Sequence, residues 1–142
     1  MTEYLFRPAD TVMAFDFGTR KIGVAVGQGI TRSASPAGTI RAKDGIPNWD
    51  DIARLIRTWE PAVLIVGLPL NMDGTESELS LRALKFARRL TGRFQLPHIV
   101  MDERLTSREA RWITGSDGEI DDVAAALILE SWFRQQPEAR ES

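Results

Sequence analysis

The run AVLIVG at residues 62–67 is continuously apolar and empties into the loop GLPLNMDGTES. A short apolar run of this kind is what a central strand buried on both faces needs. HIVMDE (98–103) is a second buried strand, and a helical stretch separates the two. That stretch begins near Glu76, places Ala83, Phe86, Ala87 and Leu90 on one stripe, and ends around Gly92. Upstream, NWDDIARLIRTWE carries Ile52, Leu55, Ile56 and Trp59 at helical spacing between Pro47 and Pro61, which mark its start and stop. TVMAFDF (11–17) and KIGVAVG (21–27) flank a short Gly-containing turn and predict a β-hairpin, with GTIRA (38–42) as a third strand beside it. A short helix is expected at 106–113, where Thr106 and Glu109 have capping-box spacing, and a last helix at about 121–135. A hairpin-led sheet that passes into βαβ units is a mixed α/β sheet, antiparallel on one side, parallel on the other and flanked by helices.

At 142 residues the chain suits one domain, with flexible ends at 1–10 and 137–142. The absence of cysteine excludes disulfides, a thiolate zinc site and a catalytic thiol. No stretch approaches the ~20 apolar residues of a membrane span, and the N-terminus lacks the basic and apolar regions of a signal peptide. The expectation is a soluble cytoplasmic protein. A net charge of −2 argues at first against a nucleic-acid partner, but the charge is uneven. Residues 1–78 balance to −2, residues 79–116 to +5 and residues 117–142 to −5. Phosphate contacts depend on local Lys and Arg, so a basic middle leaves that partner open.

Three acids stand where an acid is costly. Asp16 lies inside an apolar strand, where alternation puts it on one face with Val12 and Ala14, opposite Met13, Phe15 and Phe17. Glu103 ends the strand HIVMDE, and Asp121 starts an otherwise apolar helix, where it or Asp122 can also serve as a cap. Buried carboxylates repel one another unless a cation compensates. In α/β sheets, sites gather at the carboxyl ends of parallel strands and at helix N-termini, which lets these three converge. Oxygen-only ligands suit Mg²⁺ or Mn²⁺, and the one histidine, His98, falls on the face opposite Glu103 as a packing or edge residue. The accessible chemistry is metal-assisted attack of water on a phosphate.

FDFGTRKIGVAVG (15–27), IVGLPLNMDGTES (65–77), DERLTSREA (102–110) and IDDVAAALILESW (120–132) together resemble, in chain order, the YqgF family. That family comprises Holliday-junction-resolvase-like proteins and the bacterial nuclease that matures the ends of pre-16S ribosomal RNA. The resemblance implies a ribonuclease-H-like fold and an acidic site on Asp16, Glu103 and Asp121 that holds Mg²⁺ or Mn²⁺. It further implies cleavage to 5′-phosphate and 3′-hydroxyl ends. The partners it implies are pre-16S RNA, free or on the ribosome, or four-way junction DNA, which would need a homodimer rather than a monomer. A third alternative is an RNA- or ribosome-binding module without catalysis. The chain departs from the pattern in two places: WITGSDGE (112–119) is shorter than the family's basic loop, and Ala124 stands where resolvases tend to carry a second helix Asp, leaving Asp122 or Asp102 as candidate fourth members.

Several other motifs bear on the substrate. Gly18, Thr19 and Gly23 also resemble a first ATPase phosphate loop, but that fold needs two such domains and a second loop. Asn71, Asp73 and Gly74 form either a turn or a substrate edge. Arg104, Arg108 and Arg111, directly after Glu103, are the preferred phosphate contacts, whereas Arg82 to Arg93 read as a solvated helix face. The four Trp, at helical spacing, read as core rather than as stacking platforms for bases.

Overall fold

The computed structural model describes Arg7, residues 9–105 and residues 120–136, with the backbone alone at 105, 120 and 121. The helix expected at 106–113 and the loop at 112–119 lie outside the described residues, as do most of the first expected tail and all of the second. Within the first tail, Arg7 and Asp10 close a turn through two hydrogen bonds of 2.7 and 2.9 Å.

β1 (Thr11–Asp16) and β2 (Lys21–Gln28) form the expected antiparallel hairpin, with Asp16 opposite Gly23. β3 (Ser33–Lys43) begins well before the expected Gly38. Pro36 and Gly38 read as loop residues, yet a bulge absorbs them: Val24 pairs with Gly38 and Ala25 with Pro36, so Ala37 is left out of the ladder. Gly38 there has φ +106°, a conformation that favours glycine. After a turn at Asp44–Gly45, β4 (Ile46–Pro47), a two-residue strand, pairs with the end of β3.

α1 (Trp49–Trp59) is capped by the Asn48 side chain, which accepts from the backbone N–H groups of Asp50 and Asp51. β5 (Val63–Leu68) is the central apolar run. α2 (Glu78–Phe94) starts at a reciprocal capping box between Ser77 and Ser80 and continues past Gly92 for most of a turn. The extension is held by Phe94, whose ring lies 6.3 Å from that of Trp49. β6 (His98–Asp102) ends one residue earlier than expected, because Glu103–Leu105 closes a 3-10 turn. α3 (Ile120–Gln135) is the last helix.

The sheet order is β4-β3-β2-β1-β5-β6. β1 pairs with β5 and β5 with β6 in parallel, and the other neighbours pair antiparallel. α1 and α2 cover one face: Met13, Phe15, Leu64 and Val66 of the sheet meet Ile52, Ala83, Phe86 and Leu90. Phe86 anchors this layer, with ring centroids 5.6, 5.3 and 5.9 Å from Phe15, Phe17 and Trp49; such aromatic pairs contribute about 0.5–1.5 kcal/mol each beyond their burial. Among the described residues α3 alone covers the other face, packing Ile128, Leu129, Trp132 and Phe133 on Val12, Ala14, Val63 and Ile65. Among the described residues no helix is long and apolar enough to cross a membrane.

The direction of α3 follows from two glycines. Ile128 lies against Gly67 near the end of β5, and Phe133 lies against Gly27, which pairs with Val12 near the start of β1. The N-terminal end of α3 therefore sits at the carboxyl edge of β1 and β5. Its far end is closed by Arg32, whose guanidinium donates to the carbonyls of Phe133 and Gln136 at 3.2 and 3.1 Å, favourable for a cation at a helix C-terminus. At Gly27 an added Cβ would stand 2.5 Å from the Ser33 carbonyl oxygen and 2.9 Å from Phe133 Cε2. Gly27→Ala is accordingly expected to lower stability by about 1–3 kcal/mol, read as a lower urea midpoint with unchanged slope. An unchanged midpoint would show that α3 does not pack this closely.

Candidate active site

Asp16 is the last residue of β1 and half-buried. Its neighbours Val12 and Ala14 lie under α3, while Met13, Phe15 and Phe17 lie in the opposite core, so alternation puts Asp16 on the α3 side. Parallel pairing aligns Phe15 with Val66, which brings Asp16 level with Gly67 on β5. Gly67 in turn pairs with Met101 on β6, whose side chain belongs to the α3 core.

Glu103 comes two residues after Met101, and its side chain lies over β5. Glu103 Cγ and Oε1 are 3.0 and 3.1 Å from the point where a Cβ on Gly67 would stand, and Ile128 Cδ1 is 2.6 Å from it. Gly67 thus leaves the space that Glu103 occupies beside the row of Asp16. Asp16 and Glu103 both have interactions of their own with their surroundings. Sequence reasoning passed over Gly67 as the end of an apolar run; the one available signal was a glycine standing between bulky strand residues, which marks a close approach of other atoms.

The remaining expected residues fall into three groups. Asp121 lies in the first turn of α3, at the same edge of the sheet, but its side chain is outside the described residues. Among the described residues no three carboxylate or imidazole groups gather closely enough to hold an ion. His98 Nδ1 is 2.6 Å from Thr91 Oγ1, whose own proton goes to the Leu96 carbonyl, so the imidazole is the donor. Burial and the nearby Arg88 push His98 below its usual pKa and keep it neutral at pH 7. It belongs to the α2 side of the sheet, away from the carboxylates.

The loop after β5 is a self-bonded turn. Asn71 Nδ2 donates to Thr75 Oγ1 at 3.0 Å, and Asp73 Oδ1 accepts from both the backbone N–H and the hydroxyl of Thr75, at 3.0 and 2.6 Å. Those bonds from Thr75 hold the Asp73 carboxyl below its ordinary range. Arg104, expected as a phosphate contact, is engaged elsewhere. Its guanidinium forks onto Asp102, with Nε at 3.0 Å from both carboxylate oxygens and Nη2 at 2.6 Å from Oδ2, while Nη1 donates to the Met72 carbonyl at 3.1 Å. One side chain therefore ties the end of β6 to the loop after β5, and Asp102 is committed to that pair. Arg108 and Arg111 lie outside the described residues.

The family described as "RuvX: Holliday junction resolvase" matches residues 10–135. A protein of Saccharophagus degradans, named "Putative pre-16S rRNA nuclease", is 56% identical over 137 residues, covering 91% of this chain and 96% of its own. A protein of Glaesserella parasuis with the same name is 54% identical over 136 residues, covering 90% of this chain and 99% of its own. Among solved structures, T. thermophilus RuvC in complex with a Holliday junction substrate superposes with a TM-score of 0.53 at 14% identity, over 88% of this chain and 95% of that one. The fowlpox virus Holliday junction resolvase gives 0.54 at 15% identity, over 89% and 99%. At these identities the structures share a fold, the ribonuclease-H-like mixed sheet.

The Asp102–Arg104 clamp has a pH signature. Hydrogen bonds from Arg104 hold Asp102 below its ordinary pKa. A depressed carboxylate pKa means that the contact supports the fold above the unfolded value of about 3.9 and is lost as pH falls through the lower folded value. Arg104→Gln is expected to raise the Asp102 titration midpoint toward that ordinary value, as followed by carboxyl carbon NMR. It is also expected to speed amide exchange at residues 69–77 at neutral pH. A midpoint that does not move would remove the clamp.

Proposed function

Since the chain belongs to the RuvX family of Holliday junction resolvases, we propose that it is a divalent-metal-dependent nuclease that hydrolyses phosphodiester bonds at the ends of pre-16S ribosomal RNA. Asp16, Glu103 and Asp121 hold the ion in this reading. The observation that carries it is the placing of Asp16 and Glu103 on one face of the sheet, at the carboxyl edge of the parallel strands, in a row with Gly67. The relatives named for pre-16S RNA processing, similar over nearly the whole chain, support the substrate.

The donor set fits a hard cation. It offers carboxylate oxygens, the chain has no cysteine, and the imidazole of His98 is turned toward Thr91 on the other face. When bound, Mg²⁺ or Mn²⁺ supplies Lewis acidity, which activates the attacking water and offsets charge on the phosphate. The chain's own residues fix where that happens. Gly67 gives Glu103 its position, α3 walls the site from below with Ile128, and the N-terminal end of α3 contributes partial positive charge at the same edge.

The test is incubation of purified protein with pre-16S RNA fragments, single-stranded DNA and four-way junctions, with Mg²⁺, with Mn²⁺ and with chelator. Metal-dependent cleavage of the RNA ends is expected. Asp16→Asn and Glu103→Gln should each lower it by roughly a hundredfold or more, since each removes charge that holds the ion, with thermal unfolding little changed. Wild-type rates in both variants would remove the site, and cleavage confined to junctions would reassign the substrate to four-way DNA. Gly67→Ala, which crowds Glu103 while leaving both carboxyl groups in the sequence, is expected to lower kcat by about tenfold or more while KM changes little, in keeping with the sensitivity of catalysis to small misplacements.

A further inference from the structure

α2 turns Ala83, Phe86, Ala87 and Leu90 inward and presents a row of cations outward: Arg82, Lys85, Arg88, Arg89 and Arg93. Its one acidic residue is Glu78, in the first turn. Two of the cations have partners. Arg82 pairs with Asp44 at 3.1 Å, and the Arg93 guanidinium sits 4.3 Å over the Trp49 ring. Among the described residues, Lys85, Arg88 and Arg89 form no ion pair. Lys85 stands three residues from Arg82 and Arg88 and four from Arg89, which is itself four from Arg93, and like charges at such spacing destabilise a helix. A helix face serving only solvation would interleave acids to relieve this repulsion.

The shape of this face carries a second signal. A hollow of about 200 Å³ lies between the Asp44–Pro47 turn and α2, and an open trough of about 690 Å³ runs along the helix beyond it. Lys85 and Arg89 line both. Gly92 also lines the trough, although an added Cβ there would meet nothing within 4 Å. Gly92, in the last turn of α2, admits no close-packed neighbour and leaves bare backbone between Arg89 and Arg93. The row from Arg82 to Arg93 spans about 16 Å at the helical rise.

We propose that this outer face of α2 is a docking track for the phosphate backbone of the nucleic-acid substrate, centred on Lys85, Arg88 and Arg89. It rests on the nuclease reading above and lies on the side of the sheet opposite Asp16 and Glu103. Phosphates relieve the like-charge repulsion along the helix, and the ring of Trp49 holds Arg93 ready for the same contact. A second copy of the chain would bring the same cations face to face.

The experiment is fluorescence anisotropy of labelled single-stranded and duplex RNA with full-length protein in chelator, which prevents cleavage, across a salt series. The triple variant Lys85→Gln, Arg88→Gln, Arg89→Gln is expected to bind single-stranded RNA at least tenfold more weakly at low salt. Its slope of log affinity against log salt should shrink by about 2, since each lost phosphate contact contributes about 0.7 for single strands. Its melting temperature should be unchanged or higher. If the triple variant does not fold, Arg88→Gln and Arg89→Gln singly should each reduce the slope by about 0.7. Wild-type affinity and slope in the variants would overturn the track, as would loss of binding to polyglutamate with RNA binding intact, which would assign the face to an acidic protein. If wild-type protein binds no nucleic acid in chelator, the track is overturned, while the nuclease reading is decided separately by the metal-dependent cleavage assay.

Discussion

The parallel pairing of β1 with β5 sets the rest of the molecule. It fixes Phe15 beside Val66 and so brings Asp16 level with Gly67. From there the geometry has little freedom. α3 must lie close enough to bury Val12, Ala14, Val63 and Ile65, and at Gly67 it approaches to within 2.6 Å of a Cβ position. Ile128 meets that point with the tip of a flexible side chain, which can shift cheaply; Glu103 meets it with both Cγ and Oε1, so relief there moves the carboxylate itself. The side chain of Glu103 is therefore the group that depends on glycine here. A register slip of one residue in β1 would move Asp16 to the opposite face, among Phe86 and Leu90, where nothing offsets its charge.

Most of this arrangement was legible in the residues. The apolar run of β5 and the stripes of α1 and α2 follow from periodicities that need no partner to recognise. Asp16 stood out because an acid inside a strand is expensive, and its face followed from alternation alone. The first half of β3 was not legible, because Ser33 to Gly38 has loop composition and becomes a strand only by pairing with β2 across a bulge. The close approach at Gly67 and the Asp102 partner of Arg104 were not legible for a related reason. The importance of a glycine lies in what faces it, and the partner of Arg104 is two residues away in a 3-10 turn, outside any helical or strand spacing rule. The readings at Arg108 and Asp121 rest on sequence and resemblance, and the structure adds for Asp121 only the edge at which α3 begins.

Opposite charges meet at two places in the described fold outside a single helix, and both meetings are structural. Arg104 holds Asp102 at 2.6 Å and ties a strand end to a loop; Arg82 holds Asp44 at 3.1 Å and ties α2 to the β3–β4 turn. A cation so engaged offers less to a phosphate, because its charge is already offset and its donors are partly used. In the proposed reading, carboxylates that hold a metal ion and cations that hold a polyanion would neutralise one another if they shared a surface. The sheet keeps them apart. Asp16 and Glu103 face α3, while Lys85, Arg88 and Arg89 face solvent beyond α2, with the sheet and a helix layer of about 10 Å between them. Screening at physiological salt acts over about 8 Å, so neither set strongly feels the other. That separation reconciles a net charge of −2 with a chain that carries +5 over residues 79–116. The balance that matters to a phosphate is the local one on the face it meets.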